Sequence, residues 1–173
     1  MAPIRPLRSK FGERGAALVE FALVAPLLLV VIAGIVDFGF LFQRYEVLTN
    51  AAREGARLGS LPGYVTCGAT VSAPGVNTRV RDYVQQGLNL SAAALTAAMP
   101  SNAVVVTCPT QTITLPGGGT ANVSMVNVQV TYTHNFIMLG PVIALINGNW
   151  GNSMNLVTQS RMRLEAGAAG AGS

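Results

Sequence analysis

Arg14, Gly15, Ala16 and Glu20 stand in an order that packing alone does not explain: a basic leader ends, a junction of small residues follows, and an acid lies five residues beyond the glycine inside an apolar run. An ionised carboxylate within a membrane costs a few kcal/mol on insertion scales and normally needs a partner. If a protease cuts after Gly15, the new α-amino group on Ala16 supplies that partner, one helical turn away in the same chain or on an adjacent copy. A glutamate near the interface that snorkels or is protonated is the plainer alternative.

Other residues with chemical potential lack the company their chemistry needs. Asp37, Phe38 and Gly39 spell a kinase signature, but no glycine-rich nucleotide loop or catalytic-loop motif accompanies them. Gly117, Gly118 and Gly119 lack the Lys and Ser/Thr of a phosphate-binding loop, and His134 is the single histidine. No serine sits in a nucleophile elbow, and beyond the first sixty residues the acids are Asp82 and Glu165. That leaves little material for acid–base catalysis and no basis for an enzyme, a cofactor or a metal. Cys67 and Cys108, too far apart for a local metal motif, lie beyond the apolar run, where an exported domain meets an oxidising compartment. A disulfide between them is favoured by that compartment; two buried free thiols are the alternative.

Composition sets the frame. Half of the 173 residues are hydrophobic and only 10% charged, unusual for a soluble protein. Of the net charge of +4, Arg5, Arg8, Lys10 and Arg14 against Glu13 place +3 in the first fourteen residues. The basicity is a terminal address, which argues against nucleic acid as a partner. Residues 1–14, with Pro3 and Pro6, are expected as an extended leader. Residues 21–36 are uncharged but span only about 24 Å as a helix, short of the ~30 Å hydrocarbon core. Adding 16–19 and 38–42 gives an ample span with Glu20 and Asp37 near its ends, Asp37 marking the outer boundary. The upstream charges predict the N-terminus inside. Pro26 removes one hydrogen bond of that helix, enough to kink or loosen it, although membrane helices often tolerate proline.

Beyond the membrane, Phe38, Phe42, Tyr45, Leu48, Ala52 and Ala56 recur at helical spacing with no proline before Pro62, predicting an amphipathic stalk. Arg53, Glu54 and Arg57 form its polar face, with an i,i+3 pair between the last two. A second helix carries Val76, Val80, Tyr83, Val84 and Leu88 on one face, and residues 91–99 predict a third. Three β-rich runs follow at 103–115, broken near Pro109, at 126–132 and at 155–165. The glycines at 117–119 are expected to turn between strands, 141–150 to be a loop or short apolar segment, and 166–173 to be a tail without order.

The junction Gly15/Ala16 followed by Glu20 and Phe21 resembles the processing site of type IVb pilins of the Flp class, which a prepilin peptidase cleaves. The longer string RGAALVEFALVAPLLLVVIAGIVDFGFLFQRYEVLTNAAREGARLGS, residues 14–60, resembles the TadE-like minor pilins, or pseudopilins, of the tight-adherence (Tad) pilus system. VNVQVTYTHNF and NLVTQSRMRLE are loosely similar to the C-terminal strands of such proteins, whereas residues 61–125 are individual. The resemblance implies cleavage between Gly15 and Ala16, optional methylation of the new amine, and a role in assembling a Flp pilus for adhesion. It implies the prepilin peptidase, other pilins and minor pilins, an inner-membrane assembly platform and inner-membrane lipid as partners, and it suggests Arg53, Glu54 and Arg57 as contacts to neighbouring pilins. Phe21 stands where the major Flp pilins typically carry Tyr, and those subunits are far smaller, both of which favour a minor pilin.

The expected architecture is α+β and pilin-like: a leader over 1–15, a transmembrane helix and amphipathic stalk over 16–60, and a small extracytoplasmic domain with an antiparallel sheet over 61–165. The molecule is expected in a bacterial inner membrane, single-pass, with its core at Phe42, Tyr45, Leu48, Val80, Val84, Val128, Val130 and Leu156. The competing expectation is a secreted or signal-anchored binding domain; Val31 and Ala33 satisfy a small-residue pattern for signal peptidase cutting before Gly34.

Overall fold

The computed structural model describes residues 11–141 and 153–165. The expected leader up to residue 10, nearly all of the expected 141–150 segment and the tail at 166–173 lie outside the described residues. Helix α1, Phe11–Gly59, runs for 49 residues, about 74 Å at 1.5 Å per residue. It begins within the stretch expected to be extended, because no proline follows Pro6 until Pro26 and nothing before Phe11 to Gly15 forbids helical backbone. The helix continues unbroken through Pro26. At its far end the Ser60 hydroxyl donates to the Arg57 carbonyl (2.8 Å), and Gly63 turns the chain at φ 88°.

Helix α2, Pro74–Gly87, starts with proline in its first turn, where a missing N–H costs nothing. Its buried face is Val76, Val80 and Val84; Tyr83, expected on that face, is 37% exposed. Helix α3, Ala92–Ala98, is capped by Ser91, whose hydroxyl accepts from the Ala94 N–H. Arg81 of α2 donates to Asn77 Oδ1 (3.0 Å) and to the carbonyls of Met99 (2.9 Å) and Pro100, tying the end of α3 to α2.

The strands are β1 (Val104–Thr107), β2 (Thr110–Thr114), β3 (Thr120–Asn135) and β4 (Ser153–Arg163), all antiparallel to β3. Thr107 opposite Asn127 and Thr110 opposite Ser124 keep one register across the Cys108–Pro109 interruption, where the Pro109 carbonyl accepts from Met125 N–H (2.9 Å). β1 and β2 thus act as one strand broken where proline cannot donate. Gly117 and Gly118 close the β2–β3 hairpin at positive φ. β4 lies on the other edge of β3.

β3 alternates strictly: Val126, Val128, Val130, Tyr132 and His134 are buried beneath α1, with Asn127, Gln129, Thr131 and Thr133 facing away. Against this face α1 lays Leu48, Ala51, Ala52 and Ala56, each fully buried. At Gly55 a Cβ would stand 2.5 Å from Val80 Cγ2 and 3.3 Å from Val128 Cγ1, so helix, helix and sheet meet at a point where only glycine fits.

Six of the eight expected core residues are buried: Leu48, Val80, Val84, Val128, Val130 and Leu156. Phe42 and Tyr45 are not, at 64% and 45% exposed. The covered stripe runs through Asp37, Leu41, Arg44 and Leu48, one position off the aromatic stripe Phe38, Phe42 and Tyr45. One residue rotates a helical face by about 100°. The aromatic stripe is the more hydrophobic, but on this part of α1 the sheet covers the other.

Cys67 and Cys108 are bonded, with Cα atoms 5.9 Å apart, joining the loop after α1 to the end of β1. Closing a separation of 41 residues stabilises the fold by about 4 kcal/mol on the chain-entropy model. Cys67→Ser is therefore expected to lower the denaturation midpoint markedly, and reductant to shift wild type but not the variant.

Candidate functional site

The N-terminal half of α1 offers its residues to the surroundings without cover. Leu18, Phe21, Leu23, Leu27, Leu29 and Ile35 are all more than half exposed, and α1 is long and apolar enough to cross a membrane. Such an exposed apolar surface, with its backbone hydrogen bonds internal, is suited to lipid rather than water. Gly15, Ala16 and Glu20 lie at the start of this surface, exposed on continuous helix. A Cβ on Gly15 would meet nothing within 4 Å. Ala16 and Glu20 are four residues apart on one helical face. The structure thus brings these residues together on a single accessible turn, with Pro26 inside the helix further along.

Where the exposed run ends, α1 is tied to the head. Asp37 is fully buried, and its carboxylate accepts backbone N–H groups from Ile137 (3.2 Å), Met138 (3.0 Å) and Leu139 (2.7 Å). The chain turns helical at Leu139, so the carboxylate sits where three otherwise unpaired amides converge. Position in sequence had suggested only a boundary marker; the partners are main chain a hundred residues away, which no side-chain pattern announces.

Two turns further on, Arg44 donates to His134 Nδ1 and lies 5.9 Å over the Tyr132 ring, while Phe136 meets the imidazole edge-on. His134 occupies the fifth inward position of β3, and its Nε2 has no partner among the described residues. Burial, then the neighbouring Arg44 charge, hold its pKa below the ordinary 6.5. Folded protein therefore binds that proton less readily than unfolded. The contribution of His134 to stability is complete above pH 6.5 and diminishes as pH falls below it. His134→Gln is expected to flatten this part of a stability–pH profile.

Glu54 binds Arg57 through both guanidinium contacts at 3.0 Å and Arg79 of α2 at 3.1 Å. Hydrogen bonding to Arg57 foremost, with Arg79, lowers its pKa from 4.5 to about 2 against the opposing effect of burial. Its stabilisation is present above pH 4.5 and is lost as pH falls toward about 2. Glu54→Gln is expected to remove that second acid-sensitive arm while leaving the His134 arm in place, as read by thermal unfolding across pH. The expected pair with Arg57 thus gains a third member, Arg79, which pins α1 to α2. Arg53 points elsewhere, beside Tyr45, Glu46, Thr49 and Asn50 around an open depression.

These features define a class: an α+β head carried on the far half of one long helix whose near half is an exposed, membrane-suited apolar rod. Residues 15–57 match the sequence family described as TadE-like protein. The match spans about a quarter of the sequence, begins at Gly15 and ends on the Glu54–Arg57 turn. No curated protein and no solved structure matches the chain.

Proposed function

We propose that this chain is a minor pilin or pseudopilin of a Tad (Flp) type IVb pilus, cut between Gly15 and Ala16 by a prepilin peptidase and needed for pilus assembly in adhesion. The observation that carries the reading is that the TadE-like match starts at Gly15, on an accessible helical turn that leads directly into the exposed apolar rod. In this reading the N-terminus faces the cytoplasm of a bacterial cell, and the new Ala16 amine neutralises Glu20 in its own chain or in a neighbouring pilin. The rod lies in inner-membrane lipid before meeting the assembly platform and other pilins of the system. Arg53, exposed beside Tyr45 and Glu46, is the member of the expected Arg53, Glu54 and Arg57 set best placed for a neighbouring pilin; the other two are engaged within the head.

The test is intact mass and N-terminal sequencing of protein recovered from membranes and medium, with and without the peptidase. A peptidase-dependent start at Ala16 supports the proposal; a soluble product starting at Gly34 replaces it with a secreted domain. Gly15→Trp is expected to block maturation and Gly15→Ala to slow it far less, since the junction must enter a protease site as a small residue. Normal maturation of both variants would remove Gly15 from the cleavage site. Glu20→Ala is expected to leave cutting largely intact and to abolish assembly, and intact pili in that strain would make the charge pairing dispensable.

A further inference from the structure

The tie at Asp37 fixes the level at which the head meets α1. Twenty residues from Ala17 to Val36 rise about 30 Å, the thickness of the hydrocarbon core, so Asp37 stands at its outer edge. Its carboxylate holds the main chain of Ile137, Met138 and Leu139 at that same level. The side chains there turn outward: Ile137 is 55% exposed and Met138 50%, and on α1 Phe38, the residue after Asp37, is 50% exposed and Phe40 41%. Residues 136–141, Phe-Ile-Met-Leu-Gly-Pro, carry no charge. Through Asp37 this uncharged, outward-facing segment joins α1 where the rod suited to lipid ends, and exposed apolar side chains at that level suit a lipid boundary better than water.

We propose that residues 136–139 are a membrane-seated wedge: Ile137 and Met138 insert into the outer-leaflet boundary of the bilayer, and Asp37 holds them there, so that the head rests on the membrane. The occupant of the apolar base is phospholipid. Backbone amides that would cost free energy at that depth are spent on the carboxylate, and the carboxylate, itself costly there, is satisfied by them. The inference rests on α1 spanning a bilayer and is independent of cleavage at Gly15.

The test uses full-length protein in nanodiscs of phosphatidylethanolamine and phosphatidylglycerol, with brominated acyl chains as quencher. Trp150, the single tryptophan, is changed to Phe, and one tryptophan is introduced by Ile137→Trp, Met138→Trp or, at the opposite end of β3 near the hairpin, Ile113→Trp. Emission from the first two is expected to be blue-shifted and quenched several-fold more strongly than from the third. Adding Asp37→Ala is expected to bring both down toward the Ile113→Trp level. Two insertion sites guard against one variant failing to fold, and disulfide closure reports folding of each. Equal quenching at all three sites overturns the proposal. So does a tryptophan that is blue-shifted only with several copies per disc and never quenched, the outcome if a second copy covers the base.

Discussion

Asp37→Ala is expected to release the segment after β3 from α1 and to raise amide hydrogen exchange at Ile137, Met138 and Leu139 by about a hundredfold, corresponding to about 3 kcal/mol. Three N–H groups lose a charged acceptor on a buried surface, and hydrogen bonds to ionised groups are worth more than neutral ones. Asp37→Asn keeps an acceptor oxygen but turns an NH₂ toward the donors, so it is expected to behave more like alanine than like wild type. Exchange that stays slow in both variants would show that the segment is held by something other than the carboxylate.

Gly55→Val is expected to cost the head about 3 kcal/mol, seen as a lowered guanidinium midpoint in detergent-solubilised protein. The Cβ alone would stand 2.5 Å from Val80 Cγ2, 3.3 Å from Val128 Cγ1 and 3.5 Å from Val76 Cγ1, three stiff, fully buried side chains. Overpacking of this kind typically costs 1–3 kcal/mol, and the two further methyls of valine have no vacant volume to enter. Replacing a mid-helix glycine returns only about 0.5–1 kcal/mol in backbone entropy. Gly34→Ala, where a Cβ meets nothing within 4 Å, is the matched control and should leave the midpoint unchanged. A Gly55→Val protein as stable as wild type would mean that α1 and α2 pack less closely than described.

Periodicity carried the sequence a long way toward this architecture. The strict alternation from Val126 to Tyr132 defined the inward face of β3, and the spacing of Val76, Val80 and Val84 defined that of α2. The break at Pro109 fell where proline denies a donor. The resemblance between residues 14 and 60 and the TadE-like family matches the segment recognised at 15–57. Local pattern could not say which of two adjacent stripes on α1 the sheet would cover, because Phe42 and Tyr45 are more hydrophobic than the Asp37, Leu41, Arg44 stripe that is covered. Nor could it find partners that are main chain or far away, as at Asp37 and Arg79. His134 was legible in hindsight, as the next inward step of the β3 alternation. Gly55 and its alanine neighbours looked like ordinary stalk residues, yet their smallness is what lets three elements converge.

The fastenings along α1 also decide how force would pass through the molecule. Asp37 holds the segment after β3, Arg44 grips His134 on the strand itself, and Glu54 clasps Arg79 on α2. A hinge between rod and head would let either tilt while the other stayed still; with bonds spread over almost five turns, tension along the helix axis is shared among several attachments loaded in shear. A machine drawing on the near end of α1 would therefore lift the head as one piece with it, and an obstacle meeting the head would be felt at that near end.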